Sequence, residues 1–260
     1  VSENEMVNAD SVINTNKRGG GIYSHYGVEL LNSTISKNKT TGTGGGVLTL
    51  ANGFSEIKNS TITQNNALNS AGGIHNYDKL LLINSIVYNN LSNKQNDILC
   101  QNSVVNKITI FNSIVKDTSQ HNYLNKYYIG NPSLENPLLD TLNFNCSYVR
   151  THALLTGSPA INASLDTSFT STFDQRGYSK VGKRDIGAHE FAGAIELNLL
   201  QDTVCIEDKL IIDLNAHPHL GAFSGKFVSN NQLDLSTVTE QGYVYVNYEF
   251  NLPGCENSTV

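Results

Sequence analysis

Glu29 and Glu56 stand at equivalent places in two copies of a repeated phrase. A close pair of carboxylates is the machinery of glycoside hydrolysis, one acting as acid and the other as base or nucleophile. Arg18 and His75 suggest a different reaction. A polysaccharide lyase needs a base for a carbon-bound proton and a cation to hold the neighbouring carboxylate. His25 and Asp78 belong to the same set, but His25 and His75 fall two repeats apart, roughly 10 Å along a stack of strands. That is loose for a concerted pair. The two glutamates would stack about 5 Å apart on adjacent strands. Both take the outward parity of a strand, where an exposed acid is ordinary. His217 and His219 flank a proline and lack a third ligand, so they make no metal site. Glu29, Glu56, Arg18 and His75 are therefore weak catalytic candidates, and no cofactor or metal is implied.

The elements that would position these residues are repeats. Asn32-Ser33-Thr34-Ile35-Ser36-Lys37-Asn38 returns as Asn59-Ser60-Thr61-Ile62-Thr63-Gln64-Asn65 and again as Asn84-Ser85-Ile86-Val87-Tyr88-Asn89-Asn90. A worn copy occupies residues 10–16 and another begins at Asn112. A fixed phrase at uneven spacing predicts stacked coils joined by loops of variable length. Short alternating runs precede each phrase, which is a strand signature, and residues 1–120 show no helical period.

Alignment of the copies gives columns. Leu30, Ile57, Leu82 and Ile110 form one, and Ile13, Ile35, Ile62, Val87 and Val115 a second. Ser11, Ser33, Ser60, Ser85 and Ser113 form a third, and Ile22, Val47, Ile74 and Ile98 a fourth. The apolar columns predict a continuous core along the stacking axis. Ile57 and Ile62 are out of phase for one straight strand, so a corner lies between them, and asparagine tolerates the left-handed conformation of a sharp bend. Asn32, Asn59, Asn84 and Asn112 are the expected corner residues. Stacked amides also bond to one another, which extends the ladder expectation to Asn38, Asn65 and Asn90. Glycine triplets such as Gly44-Gly45-Gly46 fit a second tight corner.

Pairing of Gly-Gly-Gly-Ile with Ile-Ser-Lys-Asn, as at residues 19–22 and 35–38, resembles the repeats of chlamydial polymorphic outer-membrane proteins. The implied fold is an all-β, right-handed parallel β-helix over residues 1–129. Within residues 130–193, Gly157-Ser158-Pro159-Ala160-Ile161-Asn162, Asp174-Gln175-Arg176-Gly177 and Arg184-Asp185-Ile186-Gly187-Ala188-His189-Glu190 resemble the closing segment of the choice-of-anchor β-helix proteins of Bacteroidota-type bacteria. Asn162 and Ser164 depart from that pattern. The resemblance implies a C-terminal cap in which Arg176, Arg184, Asp185 and Glu190 form ion pairs. Residues 194–260 read as antiparallel strands. Cys205, Gly221-Ala222-Phe223-Ser224-Gly225 and Cys255 resemble a small immunoglobulin-like β-sandwich, here partial, for which the implied disulfide is Cys205–Cys255. Cys100 and Cys146 either pair or stay buried.

Composition narrows the roles. The chain has 260 residues, 15% charged, with a formal net charge of −6. Asparagine is concentrated in the first 145 residues. There is no basic stripe for nucleic acid, no apolar run long enough for a transmembrane segment and no signal peptide at residue 1. The chain reads as a piece of a longer protein. The expected role is that of a secreted cell-surface protein, adhesin-like or structural, in which a stiff β-helix stalk displays a binding surface. The resemblance implies export across a Gram-negative envelope by the type IX route to the extracellular face of the outer membrane. The partners it implies are surface glycans, other cells and the secretion or surface-anchoring machinery. Tyr23, Tyr26, Tyr77 and Tyr88 are candidate sugar-stacking rings. The alternative is an extracellular polysaccharide lyase or glycoside hydrolase.

Overall fold

The computed structural model describes residues 1–6, 18–50, 53–100, 108–116, 127–128, 133–164, 172–191, 196–198, 203–208, 210–217, 221–250 and 258–259. Each coil of the repeat region contributes one strand to each of several parallel sheets. One coil supplies Val47–Thr49, Ser55–Lys58, Thr61–Thr63 and Asn66–Ala67, and the next supplies Ile74–Asn76, Leu80–Ile83, Ile86–Tyr88 and Leu91–Ser92. Three four-stranded sheets and one five-stranded sheet result, with every strand pair in them parallel. This is a β-solenoid, as the repeats predict.

Register matches the sequence columns. Ile22 pairs with Val47, Val47 with Ile74 and Ile74 with Ile98. Leu30, Ile57, Leu82 and Ile110 stack in order, as do Ile35, Ile62, Val87 and Val115. These residues face inward as one core. A fully buried aliphatic side chain stabilises by about 1.5–3 kcal/mol, so the core alone explains why each coil settles on the last. The corners also follow expectation. Asn32, Asn59, Asn84 and Asn112 have φ of 46°, 45°, 45° and 45°. At the glycine corner, a Cβ on Gly45 would lie 2.5 Å from the carbonyl oxygen of Gly72, so a side chain there would push the coils apart.

A further rung lies beside the phrase at residues 32–38. Residues 10–16, with Ser11 and Ile13, lie outside the described residues. Val1-Ser2-Glu3-Asn4 stacks on Ile35-Ser36-Lys37-Asn38, through a parallel bridge between Ser2 and Ser36 and a bond from Asn4 Nδ2 to Asn38 Oδ1 at 2.9 Å. Glu3 and Lys37 share the same left-handed φ, 58° and 56°.

The described residues 133–164 and 172–191 lie beside several coils and not as a lid over the last one. Ser133 still bridges Ile114 in parallel. The chain then forms an antiparallel hairpin, Leu139–Asn143 with Thr151–Leu154, and lies along the flank of the sheet that contains Thr34–Ser36, Thr61–Thr63, Ile86–Tyr88 and Ile114–Val115. Its contacts reach every one of these coils. Thr34 Oγ1 donates to Gln175 Oε1 at 2.5 Å, Ala188 N donates to Thr61 Oγ1 at 3.1 Å and Gly187 N donates to Asn84 O at 2.9 Å. Ile86 and Ile114 pack with Leu154, Ala160 and Ile186. The outward column Thr34, Thr61, Ile86, Ile114 thus changes from polar to apolar because its cover does. Gly187 crosses this sheet at φ 109°, where a Cβ would sit 2.9 Å from both Thr61 Oγ1 and Ile86 Cδ1.

Beyond residue 195 the pairing among the described residues is antiparallel, as in Glu196–Asn198 with Asn215–His217, Ile211–Asp213 with Gln232–Asp234, and Ala222–Gly225 with Val246–Phe250. Tyr248 is buried, lies 4.8 Å from the ring of Phe223 and accepts a bond from Gly221 N at its hydroxyl.

Candidate functional site

The four catalytic candidates do not converge. Glu29 and Glu56 are register partners on neighbouring strands. The same column continues with Leu81 and Thr109, so it offers no third acid. Glu56 is already paired with Lys58 at 3.1 Å. His75 belongs to another sheet, between Leu48 and Leu99. It is 1% exposed and stacked on Tyr77 at 4.6 Å, so its ring cannot reach a polymeric substrate. Arg18 lies at the glycine corner, bridged to Thr43. His25 is exposed and sits 3.3 Å from the hydroxyl of Tyr23. Among the described residues, no group of three His, Cys, Asp or Glu side chains could hold a metal ion. His219 and the side chain of His217 lie outside the described residues.

Polar side chains converge instead between coils. Asn4, Asn38, Asn65 and Asn90 form a chain of amides: each Nδ2 donates to the next residue's side-chain oxygen, at 2.9, 2.9, 2.9 and finally 2.8 Å to Asp97 Oδ1. Each backbone N–H donates to the same oxygen, at 3.0–3.1 Å. A two-point clamp recurs at every rung. Asp97 follows Asn90 by only seven residues and supplies an acceptor where a fifth asparagine would stand. Chains of this kind polarise one another and strengthen. The bend beside this ladder is made by Lys37, Gln64 and Asn89, with φ of 56°, 57° and 61°, and not by the asparagines themselves.

The corner asparagines differ. Asn112 Nδ2 donates to Asn84 Oδ1 at 2.9 Å, but both side-chain polar atoms of Asn59 and the Nδ2 of Asn84 are buried without a partner. Asn59 therefore acts through backbone conformation, and the ladder expected of Asn32, Asn59, Asn84 and Asn112 is broken. The ladder at this corner is made by serine. Ser33, Ser60 and Ser85 donate their N–H to the hydroxyls of Ser60, Ser85 and Ser113 at 3.2, 3.1 and 3.1 Å. Each hydroxyl in turn donates to the carbonyl two residues back. The serine column was visible in the sequence, but small size alone did not reveal this hydrogen bonding.

A third polar cluster fixes the flanking segment. Asp174 Oδ2 pairs with Arg176 Nη2 at 2.8 Å, and Arg184 Nε lies 3.6 Å from Glu190 Oε1. Asp185 accepts N–H bonds from Asn162 and Phe191. Of the four expected residues Arg184 and Glu190 pair with each other, Arg176 pairs with Asp174, which sequence reasoning missed, and Asp185 is held by backbone N–H groups. Arg184 Nη2 also donates to Asn32 Oδ1 at 3.1 Å, which ties the segment to the solenoid corner. Burial, then the adjacent Asp185 charge, pushes the Glu190 carboxyl up to about 7 against the pull of Arg184. Burial also raises Asp185. The His189 ring is pushed down to about 2 by burial and by Arg176. His152 bridges the hairpin to the solenoid. Its Nδ1 lies 2.7 Å from the Asp140 carbonyl, which can only accept, so Nδ1 carries the proton and Nε2 accepts from Ser36 Oγ at 2.7 Å.

The expected Cys205–Cys255 disulfide is corrected, and of the two alternatives for Cys100 the structure takes burial. Cys100 and Cys205 are both free thiols, so neither Cys205–Cys255 nor Cys100–Cys146 is formed. Cys100 ends a core strand and bonds to Asn76, and burial pushes its thiol up to about 12. Cys205 is exposed at the rim of a cleft, and Cys255 lies outside the described residues.

The fold and these ladders define the class: a parallel β-solenoid knitted by side-chain hydrogen bonds along its axis, with a segment laid on one flank. No protein-family profile matches the chain, and comparisons with curated proteins and with solved structures find no match.

Proposed function

We propose that this chain is the stiff part of a secreted cell-surface protein, adhesin-like or structural in role. The observation that carries the reading is the unbroken ladder from Asn4 to Asp97, with the serine ladder beside it. The side chains of these two ladders are committed to joining coil to coil, which suits a rod that bears load. The resemblance of the repeat and of residues 157–190 to Bacteroidota-type surface proteins supports a right-handed coil and a family-type closing segment. It also supports an immunoglobulin-like module over residues 194–260 and type IX export to the outer surface of a Gram-negative cell. Surface glycans, other cells and the anchoring machinery are the proposed partners. Tyr23 and Tyr26, 40% and 70% exposed, offer rings on which a sugar could stack.

The test is incubation of the purified chain with a panel of uronic-acid and neutral polysaccharides, scored for retention and for new chain ends. Retention without cleavage supports a binding surface. New chain ends would overturn the reading in favour of a lyase or hydrolase and direct attention to Glu29 and Glu56. Neither result would leave a stalk without a glycan ligand.

A further inference from the structure

Two of the chain's four cysteines, Cys100 and Cys205, are free thiols. Cys146 is not: its sulfur is held in a disulfide. The structure is that of a single chain, so the partner is one of the chain's own cysteines. With Cys100 and Cys205 reduced, the count leaves Cys255. Cys146 lies between the strands Leu139–Asn143 and Thr151–Leu154, in the turn of the flanking hairpin. Asn145 and Cys146 both take a left-handed φ, 44° and 61°, a conformation that persists where the surroundings fix it. Arg176 Nη1 donates to Asn145 O at 3.1 Å, the Tyr178 hydroxyl donates to Cys146 O at 3.2 Å, and Asn145 Nδ2 donates to Thr151 O at 2.9 Å. This end of the bond is therefore anchored.

Cys255 lies outside the described residues, but the strands on either side of it do not. Val246–Phe250 pairs with Ser258–Thr259, with Phe250 opposite Ser258, and Cys255 falls in the stretch that joins them. We infer that a Cys146–Cys255 disulfide ties the hairpin on the solenoid's flank to this strand pair of the C-terminal region and acts as a redox-sensitive joint. Making the bond takes two protons and two electrons from the two thiols. One thiolate attacks the disulfide of an external oxidant, the other displaces the mixed disulfide, and the oxidant leaves as two thiols. Exchange with an external dithiol runs the same steps backwards and opens the joint. The bond closes a long loop, where a cross-link restrains the unfolded chain most. The inference needs neither a stalk nor a glycan ligand, but it agrees with a secreted chain, because such bonds persist in oxidising compartments and are rare in a reducing cytosol.

Trypsin places the four cysteines in separate peptides, residues 95–107, 127–150, 185–209 and 227–260. The full chain is equilibrated with oxidised glutathione, blocked with N-ethylmaleimide in denaturant, digested without reductant and mapped by mass spectrometry. The expected species is 127–150 linked to 227–260, with 95–107 and 185–209 linked to neither. Dithiothreitol should separate the pair and yield two new thiols. Cys146→Ala and Cys255→Ala should each lower the Tm of the oxidised chain by the same amount, with no further loss in the double variant, because both remove one bond. The losses should vanish in dithiothreitol. The inference is overturned by a labelled, unlinked Cys146 in the equilibrated chain, by a link from 127–150 to 95–107 or 185–209, or by additive losses in the two variants.

Discussion

Asn65 and Asn59 are both fully buried asparagines at corners of the same coil, but the structure gives them opposite roles. Asn65 Oδ1 accepts from the backbone N–H and the Nδ2 of Asn38. Its Nδ2 donates to Asn90 Oδ1, Ile35 O and Thr63 O. Asn65→Ala leaves the buried N–H of Asn38 without an acceptor. An orphaned buried donor costs about 1–3 kcal/mol and each further lost bond about 1 kcal/mol, so the substitution should cost about 3–5 kcal/mol. Asn59 contributes a left-handed φ and a buried amide without partners. Asn59→Ala adds about 1 kcal/mol of backbone strain and removes an unsatisfied group, so the net change should stay within about 1 kcal/mol. Asn59→Gly, which keeps the conformation, should be neutral or stabilising by up to about 1 kcal/mol. Guanidinium unfolding followed by circular dichroism measures all three, with a constant m-value as the condition for comparison. Equal losses for Asn65→Ala and Asn59→Ala would refute the division of labour between the two asparagine columns.

Two more outcomes follow from the burial of titratable groups. Glu190 ionises near 7 when folded and near 4.5 otherwise. Its contribution is intact below pH 4.5 and is lost as the pH rises through 7. Glu190→Gln, which stands for the protonated form, should therefore gain on the native chain by up to about 3 kcal/mol between pH 4 and pH 8 in paired unfolding curves. A constant difference across that window would show that the carboxyl is not perturbed. Iodoacetamide with mass spectrometry should label the exposed Cys205 in the native chain and Cys100 only after unfolding, since a buried thiol raised to about 12 has little thiolate. Native labelling of Cys100 at the rate of Cys205 would contradict its place in the core.

The solenoid was legible because its determinants are local and repeated. The column Leu30, Ile57, Leu82, Ile110 could be written from alignment alone, and so could the bend at Asn59. The first rung was missed because Val1-Ser2-Glu3-Asn4 carries only the second half of the repeat phrase, whose Asn-Ser half draws the eye to residue 10. Function of the second asparagine column was half legible. Amide stacking could be anticipated, but nothing in the string shows that Asp97 closes the ladder from only seven residues away. The switch from Thr34 and Thr61 to Ile86 and Ile114 was plain in the sequence. Its cause was not, because the groups that meet these residues, Gln175, Ala188, Leu154 and Ile186, are long-range partners whose order in the chain does not announce which coil they touch. Pairing of Arg184 with Glu190 was anticipated, whereas the bond from Arg184 to Asn32 needs the fold. Cysteine pairing failed for a similar reason: an expected disulfide rests on resemblance, and Cys100 is held in the core beside Asn76.

The central claim is that amide and hydroxyl ladders knit the coils together. It is tested most directly by hydrogen exchange at the side-chain amides, read by nuclear magnetic resonance on labelled protein. The Nδ2 protons of Asn38, Asn65 and Asn90 should exchange as slowly as the backbone N–H of the core residue Ile62, because both need the coils to separate. Exchange of those amide protons within the dead time, while the Ile62 N–H stays protected, would mean that the ladder is open in solution and that the apolar columns alone hold the stack.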